Sequence, residues 1–409
     1  MSNFIRNMNI LALCAFIYTP IYLYNKQINV VIVSVSFIIW FITSLCVEQN
    51  WLSRFKPYVP TIMAMILLNI LFCISTHTDM YSTMVMSILA YVGVLFFAFY
   101  SRHINLLKLP FVFLLVILCL DSIDTIKGNL LMPGISRKQV QFYDTQEVAY
   151  LQHVMHIGSY PFLYSLSLFV LPITLFFKNK VLGKLVYIPL ILLFVETILY
   201  GSYFISLIIT IMMLILGLIN FNNIKKAVIS CVIVASVFLV AKDSILDAII
   251  YIGEKTDSTI IVQHAMEIKS GSGGEGADMV TGGRSSLYTN AILNFMEHPL
   301  VGQLSGDKPK YFSMHSELLE YLEKFGLLSF PFFYIWFLLF KTQRKMLRTK
   351  KVKTYHAIFF GTLMFFLFVN PIRNEQPFTL MVFCVIPLML IFLDTKLYNN
   401  KLDEQKTNS

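Results

Sequence analysis

Two residues in one polar stretch have the side chains a group transfer needs. Arg284 and His315 both fall in TGGRSSLYTNAILNFMEHPLVGQLSGDKPKYFSMHSELLEYLEKF, residues 281–325. Arg284 follows two glycines, so its backbone can come close to a ligand. Its guanidinium can grip a diphosphate through paired N–H donors. The plainer role is contact with lipid headgroups or a nearby carboxylate. With Ser313 as N-cap, His315 enters the first turn of a helix running to Phe325. The positive end of the helix dipole disfavours imidazolium there. A neutral ring can accept a proton from a hydroxyl, and the same helix end attracts phosphate. A capping or interfacial histidine is the plainer reading.

Other candidates are more scattered. Arg373 lies in NPIRNEQP, two residues before Glu375, and either binds phosphate or forms a private ion pair. Glu196 lies in an apolar run, where a carboxylate must line a cavity or reach the interface. Asp121 and Asp124 are expected at the interface. His153 and His156 share a helical face and His298 precedes a proline, but without a third ligand they make a weak zinc signal. No metal site is expected. The chain has no Gly-Lys phosphate loop, no GxSxG elbow and no DxD pair. A nucleotide-fuelled or Mg-dependent mechanism therefore has no support, and no cofactor is expected. The six cysteines sit in apolar runs without a CxxC pair and read as small buried hydrophobes.

The elements that must position these residues read as membrane helices. Of 409 residues, 57% are hydrophobic and 13% charged, well below the quarter charged of a soluble domain. About twelve apolar runs approach the roughly 20 residues a span needs: 8–24, 28–47, 58–75, 81–100, 106–123, 159–177, 185–200, 204–220, 227–242, 326–341, 354–370 and 377–394. The pivotal division is 185–220, where Gly201-Ser202 marks a turn; one long tilted helix there would invert everything downstream. The net charge of +9 points to orientation, not to nucleic acid. Lysine and arginine fill alternate loops, at 54–56, 102–108, 178–184, 225–226 and 341–353, and the tail. The short loops on the other side carry only Lys26 and Arg373. The positive-inside rule then puts both termini in the cytoplasm.

Five regions follow: helices in 1–123, an outer loop 124–158, helices in 159–242, a large outer loop 243–325, and helices plus tail in 326–409. In the first outer loop Asp144-Thr-Gln-Glu147 is a capping box for a helix through about Ile157. In the second, one short helix ends at Glu297, with Leu287, Ala291 and Phe295 as its apolar stripe, widened by Tyr288 and Ile292. Another ends at Phe325, with Leu318, Leu322 and Phe325 on one side and Glu317, Glu320 and Lys324 facing away. Both are expected to lie on the outer interface. The Gly-rich link 269–283 reads as a hinge.

Arg284, then a helix, HPLVG (298–302), and MHSELLEYLEKFGLL resembles the O-antigen polymerase/ligase family. The order of elements, the helix count and the late outer loop are similar to that family as well. The resemblance implies an all-α polytopic membrane protein of GT-C-like architecture. It implies a metal-independent glycosyltransferase in a bacterial inner membrane with its catalytic loop in the periplasm. The substrates implied are undecaprenyl-diphosphate-linked oligosaccharides as donor and acceptor, with a chain-length regulator protein as partner. Arg284 would hold the diphosphate, and His315 the acceptor hydroxyl or the diphosphate. Where ligases carry an arginine between the helices at 185–200 and 204–220, this chain has Tyr203. Arg137 and Arg373 are candidates to replace it, and Glu196, Tyr203 and Glu317 complete the expected substrate-binding set. The second glycine after HPxxG is displaced to Gly306. The missing arginine weakens the ligase reading, so the resemblance is read as that of a repeat-unit polymerase. The alternatives are the ligase that transfers glycan to lipid A-core and, in another class, a lipid-linked oligosaccharide flippase.

Overall fold

A computed structural model describes residues 3–22, 26–77, 91–132, 135–137, 150–152, 154–201, 204–219, 242–255, 285–305, 316–369 and 384–407, with 229, 262, 265–266 and 269. Among these residues the regular structure is helical, with no strand. That is the expected answer to a bilayer, where the backbone must satisfy its own hydrogen bonds. The helices are α1 (Asn3–Tyr22), α2 (Lys26–Val47), α3 (Val59–Thr76), α4 (Tyr91–Tyr100), α5 (Lys108–Leu131), α6 (Tyr160–Lys178), α7 (Lys184–Tyr200) and α8 (Phe204–Leu218). They continue with α9 (Lys242–Lys255), α10 (Ser285–Glu297), α11 (Glu317–Phe325), α12 (Phe330–Met346), α13 (Lys350–Val369) and α14 (Ile386–Thr407). Among the described residues, three continuous helical stretches, Trp51–Thr76, Ile104–Leu131 and Glu317–Met346, are long and apolar enough to cross a membrane. The run at 227–242 lies outside the described residues, apart from Ile229 and Lys242.

Buried polar groups pin the helices together. Asn9 of α1 donates to Ser44 Oγ of α2 (2.8 Å) and accepts from the Tyr100 hydroxyl of α4 (2.8 Å). Trp40 Nε1 donates to the same hydroxyl at 3.0 Å. Between α6 and α8, Ser167 bonds to Ser206 and accepts from Thr210 (3.0 Å). A Cβ on Gly217 of α8 would stand 2.7 Å from Thr174 of α6, so glycine lets these two helices approach. This is the small-residue packing that membrane helices use in place of a hydrophobic drive.

Residues 184–218 form two helices, α7 and α8, with Gly201 ending the first. Lys178 at the end of α6 donates to the Leu218 carbonyl at 2.5 Å. The hairpin thus returns to the level where it began, and the single-helix alternative is excluded.

The same end of the bundle gathers the basic loops. Lys351 of α13 donates to Asn179 after α6 (3.2 Å), and Tyr355 to the Ile219 carbonyl after α8 (2.5 Å). Asp394 of α14 accepts from the backbone N–H groups of Arg348 and Thr349, capping the turn into α13. Phe392 meets Phe111 of α5 and Phe176 of α6. Arg54 forks onto both carboxylate oxygens of Glu48 (2.6 and 2.8 Å), and His103 reaches Glu48 at 2.8 Å. The Arg54 hydrogen bonds, helped by His103, hold the Glu48 carboxyl down to about 2.

Two sequence expectations change. α5 continues to Leu131, because Ser122, Asp124, Thr125 and Lys127 extend the helix beyond its apolar run. Asp121 is packed inside the bundle at 4% exposure. The expected helix through Ile157 is interrupted. His156 takes a left-handed φ of 53°, and Ile157 is buried with Ile135. His156 is therefore not part of a helix. The capping box at 144–147 and His153 lie outside the described residues.

Candidate functional site

The polar stretch contributes α10, α11 and the turn between them. α10 stops at His298-Pro299, since proline cannot donate and its ring would clash with the preceding turn. α11 opens on Ser316, whose extended backbone carries Oγ to accept from Leu319 N–H at 3.3 Å. Thus Ser316, not Ser313, is the cap. Glu317 and Glu320 occupy the first turn, where the helix dipole favours carboxylates. α11 ends at Gly326, φ 55°.

The ends of the two helices are locked backbone to backbone. Leu327 N–H donates to the Pro299 carbonyl at 2.8 Å. A Cβ on Gly302, φ 57°, would stand 2.6 Å from the Glu323 carbonyl oxygen. One on Gly326 would stand 2.6 Å from the Pro299 oxygen. Only glycine fits either place, on both conformation and space. The HPLVG and KFG segments are thus two halves of one joint.

Three contacts in order set the direction of the pair. Ala291 and Tyr288 pack with Leu319, Asn294 Nδ2 donates to Glu323 Oε1 at 2.7 Å, and Gly302 lies against Lys324–Gly326. The helices therefore run side by side in the same direction, and Ser285 and Glu317 begin at a common end. Tyr288 meets Phe368 at the end of α13 (5.7 Å between rings), and Phe325 meets Phe72 near the end of α3 (5.7 Å). α3 and α13 start among the basic loops, so this pair sits at the opposite end of the bundle.

The faces of α11 differ from expectation. Glu317, Glu320 and Glu323 are 6%, 2% and 0% exposed, whereas Leu318 and Leu322 are half-buried. Phe325 is fully buried as expected, and the carboxylates point inward beside it because polar partners wait there. Lys324 Nζ stands 2.6 Å from Glu320 Oε1 and 5.0 Å over the Phe72 ring. Tyr321 stacks on Phe332 at 4.4 Å. On α10, Tyr288 and Ala291 are buried and Leu287 and Phe295 half-buried, as the stripe predicts; Ile292 is exposed.

Of the sequence candidates, Glu317 belongs to this buried face. Glu196 is exposed on α7. Arg137 closes a 3₁₀ turn, Ile135–Arg137, whose Ser136 bonds to Asn129 of α5. Arg284, His315, Tyr203 and Arg373 lie outside the described residues, as do the hinge at 270–283 and Gly306. Sequence reasoning missed Asn294, Glu323 and Gln303. The i, i+3, i+6 spacing of Glu317, Glu320 and Glu323 was the available signal for a shared acidic face. No group of three or more metal-ligating side chains occurs among the described residues.

No family model matches the chain, and no curated protein matches it.

Proposed function

We propose that the protein is a membrane glycosyltransferase that polymerises lipid-linked repeat units of a surface polysaccharide. The growing chain on undecaprenyl diphosphate is the donor, and a new lipid-linked unit is the acceptor. The acceptor hydroxyl attacks the anomeric carbon from the face opposite the diphosphate. The new glycosidic bond forms, the bond to the diphosphate oxygen breaks, and the lipid diphosphate leaves with the electron pair. His315 takes the hydroxyl proton and Arg284 meets the diphosphate charge. Fixed charges of this kind supply the larger part of such catalysis. The leaving group is already activated, so no nucleotide is consumed.

The observation that carries this reading is the parallel pairing of α10 and α11. Arg284 directly precedes the first residue of α10, and His315 directly precedes the cap of α11. Helices that begin at one end bring the chain in at one end. Two residues 31 positions apart, by their numbers, are thereby supported as members of one site. The location of that end, away from the basic loops, supports chemistry at the outer face.

The test is a deletion strain complemented with Arg284→Ala or His315→Ala. Each variant is expected to lose long-chain polysaccharide on a gel ladder while protein level stays normal. A wild-type ladder from either variant removes that residue from the mechanism. Accumulated lipid-linked polymer that lacks lipid A, in a strain without ligase, separates polymerase from ligase. One observation favours the flippase alternative: Asp121 is buried in a spanning helix with Oδ1 unbonded. Intramembrane carboxylates often mark transport pathways. Loss of repeat-unit translocation in Asp121→Asn, with lipid-linked units still made on the cytoplasmic side, would select that reading.

A further inference from the structure

Gln303 is out of keeping with its surroundings. It sits in the 3₁₀ turn Gly302–Ser305, is 3% exposed, and has neither Nε2 nor Oε1 hydrogen-bonded. A buried amide without partners is destabilising, and an apolar side chain of similar size would remove the penalty. A native group of this kind calls for a partner, and a bound ligand is one that can supply it.

Its place says where that ligand would sit. The turn packs against α3, α10 and α11. Gly302 lies against the backbone of Glu323 and Lys324, so the neighbouring Gln303 is enclosed by the same three helices. Around α11, at about 100° per residue, Glu323 faces Asn294 of α10 and Lys324 faces Phe72 of α3. Glu320 falls between those two directions and is 2% exposed. Glu320 and the turn that carries Gln303 thus both belong to the packing between α3, α10 and α11, and Lys324 pairs with the Glu320 carboxylate.

We propose that the wedge between α3, α10 and α11 binds a hydroxyl-rich headgroup, a sugar ring of the glycan. Each sugar hydroxyl both donates and accepts. The Gln303 amide offers an N–H donor and a carbonyl acceptor, and Glu320 offers carboxylate oxygens that take hydroxyl protons. The ligand class rests on the glycan-transfer reading. The opening of the wedge to a ligand is what the experiment detects.

The decisive variant is Gln303→Leu, which keeps volume and removes both polar atoms. It is made beside Glu320→Gln in the full chain in nanodiscs. Saturation-transfer NMR reads binding of glucose, galactose, N-acetylglucosamine, rhamnose and the repeat-unit oligosaccharide released from the host's own polysaccharide. We expect the wild type to bind at least one probe. Gln303→Leu is expected to lose that signal at least tenfold at an unchanged or higher unfolding temperature, and Glu320→Gln to weaken it. No signal from the wild type with any probe overturns the proposal. Equal signal from Gln303→Leu overturns it too, as does a lower unfolding temperature for that variant with binding unchanged. If Gln303→Leu fails to fold, Glu320→Gln decides: full binding overturns the proposal and weakened binding supports it. Sugar binding alongside a normal ladder in the deletion strain would end the transferase reading and leave this site standing.

Discussion

Asn294 and Glu323 show how a single contact decides which way a helix faces. Glu323 is fully buried and accepts from Asn294 at 2.7 Å. A second carboxylate at position 294 would place like charges together in a desolvated site. We expect Asn294→Asp to destabilise the protein by on the order of 3 kcal/mol. Adding Glu323→Gln should recover most of the loss, because a Gln amide can donate to the new carboxylate. Unfolding temperatures of the two single variants and the double variant in detergent check this; a double variant no better than Asn294→Asp refutes the coupling. The sequence made this contact hard to see. A wheel of α11 sorts Leu318 and Leu322 from Glu317, Glu320 and Lys324 well enough. It does not say which side is inside when the surroundings are lipid and the interior holds Asn294, Tyr321 and Lys324. The end of α5 was hidden in the same way: polar residues near a run's end read as an end, yet α5 runs on to Leu131.

At the scale of elements, apolar runs and glycines were legible, and their partners were not. Gly201 as a break, Pro299 as a stop and Gly326 after the Leu/Glu-rich helix all follow from local backbone rules. That Gly302 and Gly326 meet across 24 residues, by their numbers, needs the fold. Their joint makes a sharp prediction. Gly326→Ala meets a left-handed φ and a carbonyl oxygen 2.6 Å from the new Cβ. We expect a loss on the order of 2–3 kcal/mol, concentrated where α10 joins α11. Hydrogen exchange at the amides of Gly302 and Leu327 should accelerate at least tenfold while the α1–α2 hairpin stays protected. Unchanged exchange at those amides would show that the joint does not hold the pair.

For the whole molecule, composition and charge carried the most information, because the bilayer imposes one rule on every helix. The alternation of basic loops anticipated what the packing displays: Arg54, His103, Lys178, Arg348 and Lys351 all lie at one end, through contacts between α3, α4, α6, α8, α13 and α14. α10 and α11 lie at the other end. Such separation has a consequence in a cell. If the basic end faces the cytoplasm, as the positive-inside rule requires, the two ends differ in access to an impermeant reagent. Lys180 and Glu297 are both exposed, one after α6 at the basic end and one at the end of α10. In a chain whose native cysteines are replaced, Glu297→Cys should react with a charged maleimide added to spheroplasts. Lys180→Cys should react only after the membrane is permeabilised. Reaction of both from the same side would mean that the two ends do not straddle a bilayer. The diphosphate chemistry assigned to Arg284 and His315 would then have no outer face on which to occur.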